Sequence, residues 1–298
     1  MLLRWLVSNY LRQTAQQTLR ETASELLSRP RSADAEDGEG EVGCDVAVLF
    51  ALSIESGGLV DLMSDAQTVR IGELIEHTGM LAGKRIVVAN TGAGQTSAAK
   101  VAADVIEFHQ PRWVISAGFA GGLNDDVRPG HLLLVDKVVR STGESLAIGL
   151  RCDPQWLATA RGVHAGRLLT VDEIVRTEAD KRQLGERHAA IACDMETFAI
   201  TEVCSQLQTP LIAVRIITDA VDDALPPEID RLMRQKTMAG KLGAAAGAIF
   251  SRPTAAKDLW DLRGMALKSS DRLAKFLAGM IEQLPAQDSP ADSSQASP

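Results

Sequence analysis

Leu211-Ile212-Ala213-Val214-Arg215-Ile216-Ile217-Thr218-Asp219 is apolar along its length except for one arginine, and it closes on a hydroxyl and an acid. A strand that faces water on one side alternates polar and apolar residues. One without that alternation is buried on both faces, so helices must cover the sheet above and below. Leu211–Ile217 therefore reads as an interior strand with Asp219 just past its carboxyl end. Val46–Phe50, Arg85–Ala89, Trp113–Ser116, His131–Val139, Arg167–Val171 and Ala190–Cys193 repeat the pattern in shorter form. Between them, helical periodicity marks Glu55–Met63, Thr96–His109, Pro154–Arg161, Glu178–Arg187, Met195–Gln206 and Pro227–Phe250. This alternation predicts a three-layer α/β/α fold around a central mixed, mainly parallel sheet. The antiparallel component is expected from Glu73–Met80, which precedes Gly83 and pairs back onto Arg85–Ala89.

Outside this body the composition changes. Residues 1–42 read as an amphipathic helix followed by an acidic linker. Leu3, Val7, Leu11, Ala15 and Leu19 fall on one helical face, Pro30 stops the helix, and Arg31–Glu41 is rich in Ser, Gly and acids. Arg4, Arg12 and Arg20 with Trp5 suit weak surface association of residues 1–28 with a membrane; docking on the body or on another copy is the simpler account. Residues 43–250 form the expected catalytic body, and 251–285 a helical extension with Leu262, Ala266, Leu273, Leu277 and Ile281 toward one side. Residues 286–298, mostly Ser, Pro, Ala and Asp, are expected to be disordered.

The chain of 298 residues is 45% apolar but only 4% aromatic, so Leu, Ile, Val and Ala must fill its core. A formal charge of -8 disfavours nucleic acid and anionic lipid as partners. No stretch approaches the roughly 18 continuous apolar residues of a membrane span, and no cleavage site follows the short apolar start. A cytoplasmic protein is expected. Cys44, Cys152, Cys193 and Cys204 form no C-x-x-C pair and have no histidines at ligand spacing, so they read as reduced thiols. No metal site and no cofactor is expected.

In an open α/β sheet, ligands bind outside the carboxyl ends of the strands. Those ends here carry Ala51–Glu55, Asn90-Thr91-Gly92-Ala93-Gly94, Ala117-Gly118-Phe119-Ala120-Gly121-Gly122, Asp194-Met195-Glu196-Thr197 and Thr218-Asp219. Gly92-Ala93-Gly94 lacks the third glycine of a dinucleotide fingerprint and reads as a tight strand-to-helix turn. Asp194 reads as an N-cap. Glu196, in the first turn of a helix, is expected ionised, because the dipole and free amides favour charge there. Asp219 is expected to have a raised pKa from burial. Local sequence leaves two accounts of this pair open: an acid/base division of labour, or a cap plus a structural salt bridge to Arg215.

Cys193-Asp194-Met195-Glu196-Thr197-Phe198-Ala199 and Val214-Arg215-Ile216-Ile217-Thr218-Asp219 resemble the two late motifs of the nucleoside phosphorylase and nucleosidase superfamily. Gly118–Leu123 and Thr91–Gly94 resemble its earlier glycine turns. The four occur in the family's order over roughly Asp45–Phe250, and the most similar branch is that of methylthioadenosine/S-adenosylhomocysteine nucleosidase. The resemblance implies cleavage of a purine nucleoside, in the setting of nucleoside catabolism and methionine salvage, by a homodimer. Met195 and Glu196 are then expected to hold the ribose, and Asp219, supported by Thr218, to protonate N7 of the departing base. Glu55 is expected to activate water, with Arg215 and Thr91 positioning it. The substrate-binding set is Thr91, Gly92, Gly118, Phe119, Ile174, Met195, Glu196 and Thr218. Ser116 stands where many phosphate-using relatives carry arginine, which favours hydrolysis. A phosphorylase, including the hopanoid-associated type, and a non-catalytic nucleoside-binding module are the alternatives. The chain departs from the family at Phe119, at the short Ser141–Gly166 stretch and at Ile174, where an aromatic residue is usual.

Overall fold

The computed structural model describes residues 43–71, 74–149, 154–224 and 255–284. The N-terminal helix and linker, the helix expected over Pro227–Phe250 and the C-terminal tail lie outside them.

Strand β1 (Val46–Phe50) runs parallel to both β4 (Lys84–Asn90) and β5 (Trp113–Gly122). Its side chains show why the sequence lacks alternation. Val46, Val48 and Phe50 pack on one side of the sheet against Leu59 of α1 (Ser53–Val60). Ala47 and Leu49 pack on the other side against Ala98, Ala102 and Val105 of α2 (Gln95–His109). Period-two geometry sends successive residues to opposite faces, and both faces are covered. The three-layer arrangement follows.

Beyond β4, β3 (Leu74–Leu81) pairs antiparallel with it, and β2 (Ser64–Ile71) pairs antiparallel with β3 at the edge. In the other direction the sheet curls. β10 (Leu211–Asp219) is parallel to β5 and antiparallel to β6 (Leu132–Arg140). β6 is parallel to β8 (Val163–Thr170), and β8 to β9 (Ala192–Asp194). β9 then pairs antiparallel with β5 at Gly121 and Gly122, closing a ring of strands. A short β7 (Ser145–Ala147) extends β6. The helix α3 (Pro154–Thr159) precedes β8, α4 (Glu178–His188) follows it, and α5 (Thr197–Gln206) follows β9.

The helix α6 (Ala255–Gln283) is no appendage. Leu273, Ala274, Leu277 and Ile281 are buried in the same cluster as β1, β4 and β10. At its middle, Ser270 Oγ donates to the carbonyl of Glu55 at 3.0 Å and accepts from the amide of Gly58 at 3.3 Å. The segment that sequence sets apart as an extension thus pins α1, which carries Glu55.

Candidate functional site

Glu55 is held before any ligand arrives. At the third position of α1 its Oε2 accepts from the amide of Leu52 at 2.7 Å, reaching back as in a capping box. Its Oε1 accepts from the amide of Phe119 at 2.8 Å. The carboxyl is 4% exposed, and burial pushes its pKa up against the pull of those two amides. A Cβ on Gly118 would lie 2.9 Å from Oε1, so the close approach of β5 to Glu55 requires glycine there.

Glu196 sits across from it. The Thr91–Gly94 turn directs the amide of Gly94 to Glu196 Oε1 at 2.7 Å, so the acceptor that this turn serves is a carboxyl of the protein itself. Glu196 occupies the N-cap position of α5 rather than its first turn, and its side chain caps nothing. The environment works against the ionised state expected from the sequence. Burial first, then the neighbouring charge of Asp194, push Glu196 up to about 8. Desolvation outweighs the single amide bond.

Asp194, expected as the N-cap, lies two residues before that position, and its side chain is the hub of a buried network. Its Oδ2 accepts from the amide of Thr197 at 3.0 Å and from Thr197 Oγ1, while Oδ1 accepts from Thr170 Oγ1 at 2.8 Å. Oδ2 also takes Nε and Nη2 of Arg215 at 3.1 and 3.0 Å. Arg215, 3% exposed, spends further donors on Ser116 Oγ at 2.8 Å, Thr197 Oγ1 at 2.6 Å and the carbonyl of Val214 at 2.8 Å. The salt bridge to Arg215 that sequence offered Glu196 or Asp219 is made by Asp194. The charge of Arg215 still reaches Glu55 and Glu196, pulling both carboxyls downward.

Asp219 ends β10, where the pairing with β5 shifts register between Ile217 and Asp219. Such irregularities re-aim side chains. Here the carboxyl turns against Gly121, where a Cβ would lie 3.1 Å from Oδ2. Thr218 Oγ1 lies 3.0 Å from Oδ1 and 3.4 Å from the carbonyl of Ala120. Burial raises the pKa of Asp219, as the sequence predicts, with Lys181 and Thr218 pulling against it. One segment of β5 therefore touches both groups of acids, Glu55 through Gly118 and Phe119, and Asp219 through Ala120 and Gly121.

Residues 45–250 match the family described as the Phosphorylase superfamily. The chain belongs to that superfamily. Among its relatives is the 5'-methylthioadenosine/S-adenosylhomocysteine nucleosidase of Shewanella loihica, 25% identical over 207 residues, which are 62% of this chain and 90% of the relative. The enzyme of the same name from Shewanella pealeana matches to the same extent, 25% over 207 residues. The fold is shared with the Neisseria meningitidis nucleosidase solved with methylthio-immucillin-A (TM-score 0.58, 21% identity, covering 79% of this chain and 99% of that one). It is shared also with the Streptococcus pyogenes S-adenosylhomocysteine nucleosidase solved with 5-methylthiotubericidin (TM-score 0.62, 17% identity, 83% and 100% covered).

The remaining expected site residues of this superfamily member sit on the turn after β4, just before α5 and on the loop after β8. Thr91 is buried, its hydroxyl donating to the carbonyl of Gly92 at 2.8 Å, and Gly92 turns with a φ of 76°. Met195 is half-buried against the cluster that holds Val139, Leu169 and Val171. Ile174 is half-buried on the loop between β8 and α4, which Gln95 ties to α2 through Asp172 at 2.6 Å. A cleft of about 690 Å³ shares Thr91 and Gly92 but is lined by none of Glu55, Glu196 and Asp219. Among the described residues no group of three or more His, Cys, Asp or Glu is arranged to hold a metal ion, and no helix is long and apolar enough to cross a membrane. Cys44, Cys193 and Cys204 are buried free thiols, each pushed up to about 12 chiefly by burial.

Sequence reasoning missed Lys181, whose Nζ donates to Asp219 Oδ2 at 2.6 Å. It lies in a helix of Glu, Asp, Lys, Arg and Gln, where one more cation carries no signal. A helical wheel supplies the clue, because Lys181 shares the buried face of α4 with Gly185 and His188 at i, i+4 and i+7.

Proposed function

We propose that the protein is a purine nucleosidase that cleaves the N-glycosidic bond of an adenosine-type nucleoside, such as 5'-methylthioadenosine or S-adenosylhomocysteine, with water as nucleophile. The observation that carries this reading is the commitment of Arg215 to Asp194, Ser116 and Thr197 beside a buried Glu55. A phosphate dianion wants a bidentate guanidinium, and Arg215 has its fork turned to a carboxylate of its own chain. As a carboxylate Glu55 repels a dianion, and burial, by raising its pKa, makes it a stronger base toward a neutral water.

In this reading Glu55 is the general base, its carboxyl fixed by the amides of Leu52 and Phe119. Glu196 holds the ribose hydroxyls with Oε2, since Gly94 occupies Oε1. Asp219 delivers a proton to N7 as the C–N bond lengthens, and Arg215 acts on the water through the field it sets at Glu55. Charge builds on the base and positive character on the sugar, so an acid at one end and a base at the other serve the two halves of one transition state. Thr91, Gly92, Gly118, Phe119, Met195, Ile174 and Thr218 line the nucleoside. A cytoplasmic homodimer acting in nucleoside catabolism and methionine salvage belongs to the same reading.

Incubation with methylthioadenosine, S-adenosylhomocysteine, aminodeoxyfutalosine and inosine, each with and without phosphate, tests it. Free base released at equal rates in both arms is expected; strict phosphate dependence makes the protein a phosphorylase. Asp219→Asn and Glu55→Gln are each expected to lower kcat by about 10²–10⁴-fold, the usual worth of a positioned acid or base. Wild-type turnover by the double variant overturns the site. Sedimentation velocity at assay concentration checks the dimer.

A further inference from the structure

Lys181 is 0% exposed, an unusual place for a lysine. Its Nζ donates to Asp219 Oδ2 at 2.6 Å, to the carbonyl of Ala220 at 2.7 Å and to the carbonyl of Asp223 at 2.8 Å. An ammonium has three hydrogens, and all three have acceptors of the protein, so none is left for a ligand. The chain thus takes a full charge out of water, which costs several kcal/mol unless it is well paired. The carbonyl of Ala220 follows Asp219 directly, that of Asp223 lies on the loop just beyond, and Asp223 Oδ2 accepts the amide of Ala220 at 2.8 Å. Lys181 therefore grips the carboxyl and the loop that leaves it as one unit.

We propose that Lys181 is the positioning residue of leaving-group protonation: its ammonium clamps Oδ2 of Asp219 and leaves Oδ1, beside Thr218, as the oxygen that hands a proton to the departing purine. This rests on the reading of Asp219 as the leaving-group acid. The step balances without Lys181 changing state. The Oδ1–H bond breaks as N7–H forms, the C–N bonding pair leaves with the base, and water bonds to the sugar carbon while giving a proton to Glu55. Asp219 is left as a carboxylate, and the ammonium neutralises the charge where it appears. That makes it a differential effect, stronger after proton transfer than before. Burial raises the pKa of Asp219 and Lys181 lowers it, so the ammonium counters the desolvation that would otherwise weaken the acid. Among the described residues, the other titratable groups facing Asp219 are Asp223, on the loop after β10, and Cys193, on β9.

The test compares pH profiles of kcat and kcat/KM for wild type, Lys181→Met, Lys181→Gln and Lys181→Ala. Without the cation Asp219 is a weaker acid, so kcat is expected to fall about 10²-fold with KM changed less than about threefold. The alkaline limb, which reports loss of the acid's proton, is expected to move up by about one pH unit. Added propylammonium is expected to restore part of the rate of Lys181→Ala. Lys181→Gln keeps two donors for the carbonyls, so it reads the charge should the methionine variant fail to fold. A folded Lys181→Gln with wild-type kcat and an unmoved alkaline limb overturns the inference. If the wild type releases base from no nucleoside of the panel, the reading of the site fails. The clamp is then read by ¹³C-carboxyl titration of Asp219, whose midpoint rises in Lys181→Gln; equal midpoints overturn it as well.

Discussion

A methyl group on Gly118 would lie 2.9 Å from Glu55 Oε1, closer than side-chain carbons come to a fixed neighbour, and Glu55 cannot yield because two amides hold it. Gly118→Ala is therefore expected to leave the protein folded, at a cost of about 1–3 kcal/mol in overpacking. It should lower kcat about 10²-fold through displacement of the carboxyl. Urea unfolding and steady-state kinetics read the two effects separately, and unchanged kcat contradicts the placement of Glu55. Glu196 makes a prediction in pH. Its carboxyl, ordinarily near 4.5, is pushed to about 8 in the folded chain, so the folded state binds this proton more tightly than the unfolded one. Its contribution to stability is full below about 4.5 and fades as pH rises to about 8. Glu196→Gln cannot ionise, so its unfolding free energy should fall less between about pH 5 and about pH 8.5 than that of wild type; parallel curves exclude the raised pKa. Local sequence placed Glu55, Glu196 and Asp219 at strand ends because polar residues after apolar runs are visible. It missed the upward shift of Glu196 and the partners of Asp194 and Asp219, because burial and side-chain pairing depend on residues far along the chain, Glu55 and Lys181 among them.

At the scale of elements, the long helices and interior strands were legible where apolar residues repeat with one clear period. β1 was bounded at Val46 and Phe50 by sequence, and α2 ends at His109, with Gln110 in a left-handed turn before Pro111. β2 was invisible, since Ser64-Asp65-Ala66-Gln67-Thr68 is polar and exposed and gains its strand form from pairing with β3. β7 is three residues long and escapes for the same reason. The helix α6 was legible as a helix but not as part of the core, because period shows which face is apolar and not what it meets. Leu277 on that face is 0% exposed. Leu277→Ala is expected to cost about 2–5 kcal/mol, the usual range for such truncations. Ser270→Ala removes the bonds to Glu55 and Gly58 and is expected to cost about 1 kcal/mol. It should also lower kcat severalfold, because α1 is released from α6 at the turn that carries Glu55. Equal kcat in the serine variant, with stability lost, would confine α6 to a scaffolding role.

At the scale of the whole molecule, the sheet has two unlike ends. Around β5, β10, β6, β8 and β9 every strand has a neighbour on both sides, so no edge is left and opening one strand breaks two ladders. Both faces of that ring are filled, by Leu132, Leu134, Val214 and Ile216 in one cluster and Leu133, Val135, Ala213 and Ile217 in another. At the far end β2 has, among the described residues, a neighbour on one side alone and exposes most of its residues to solvent. The site acids hang on the closed end, Asp219 from β10 and Asp194 from β9, while Glu55 reaches in from α1. Under the proposed reading these acids need a rigid support, and the ring offers one. Native-state hydrogen exchange tests this division of labour. Amides of β10 and β6 are expected to exchange only through global unfolding, at the protection set by the full stability of the chain. Amides of β2 are expected to exchange through local opening, faster by about two orders of magnitude or more and with little dependence on denaturant. Uniform protection from β2 to β10 would make the sheet a single cooperative unit, and the rigidity of the site would then have to come from the whole of it and not from the ring.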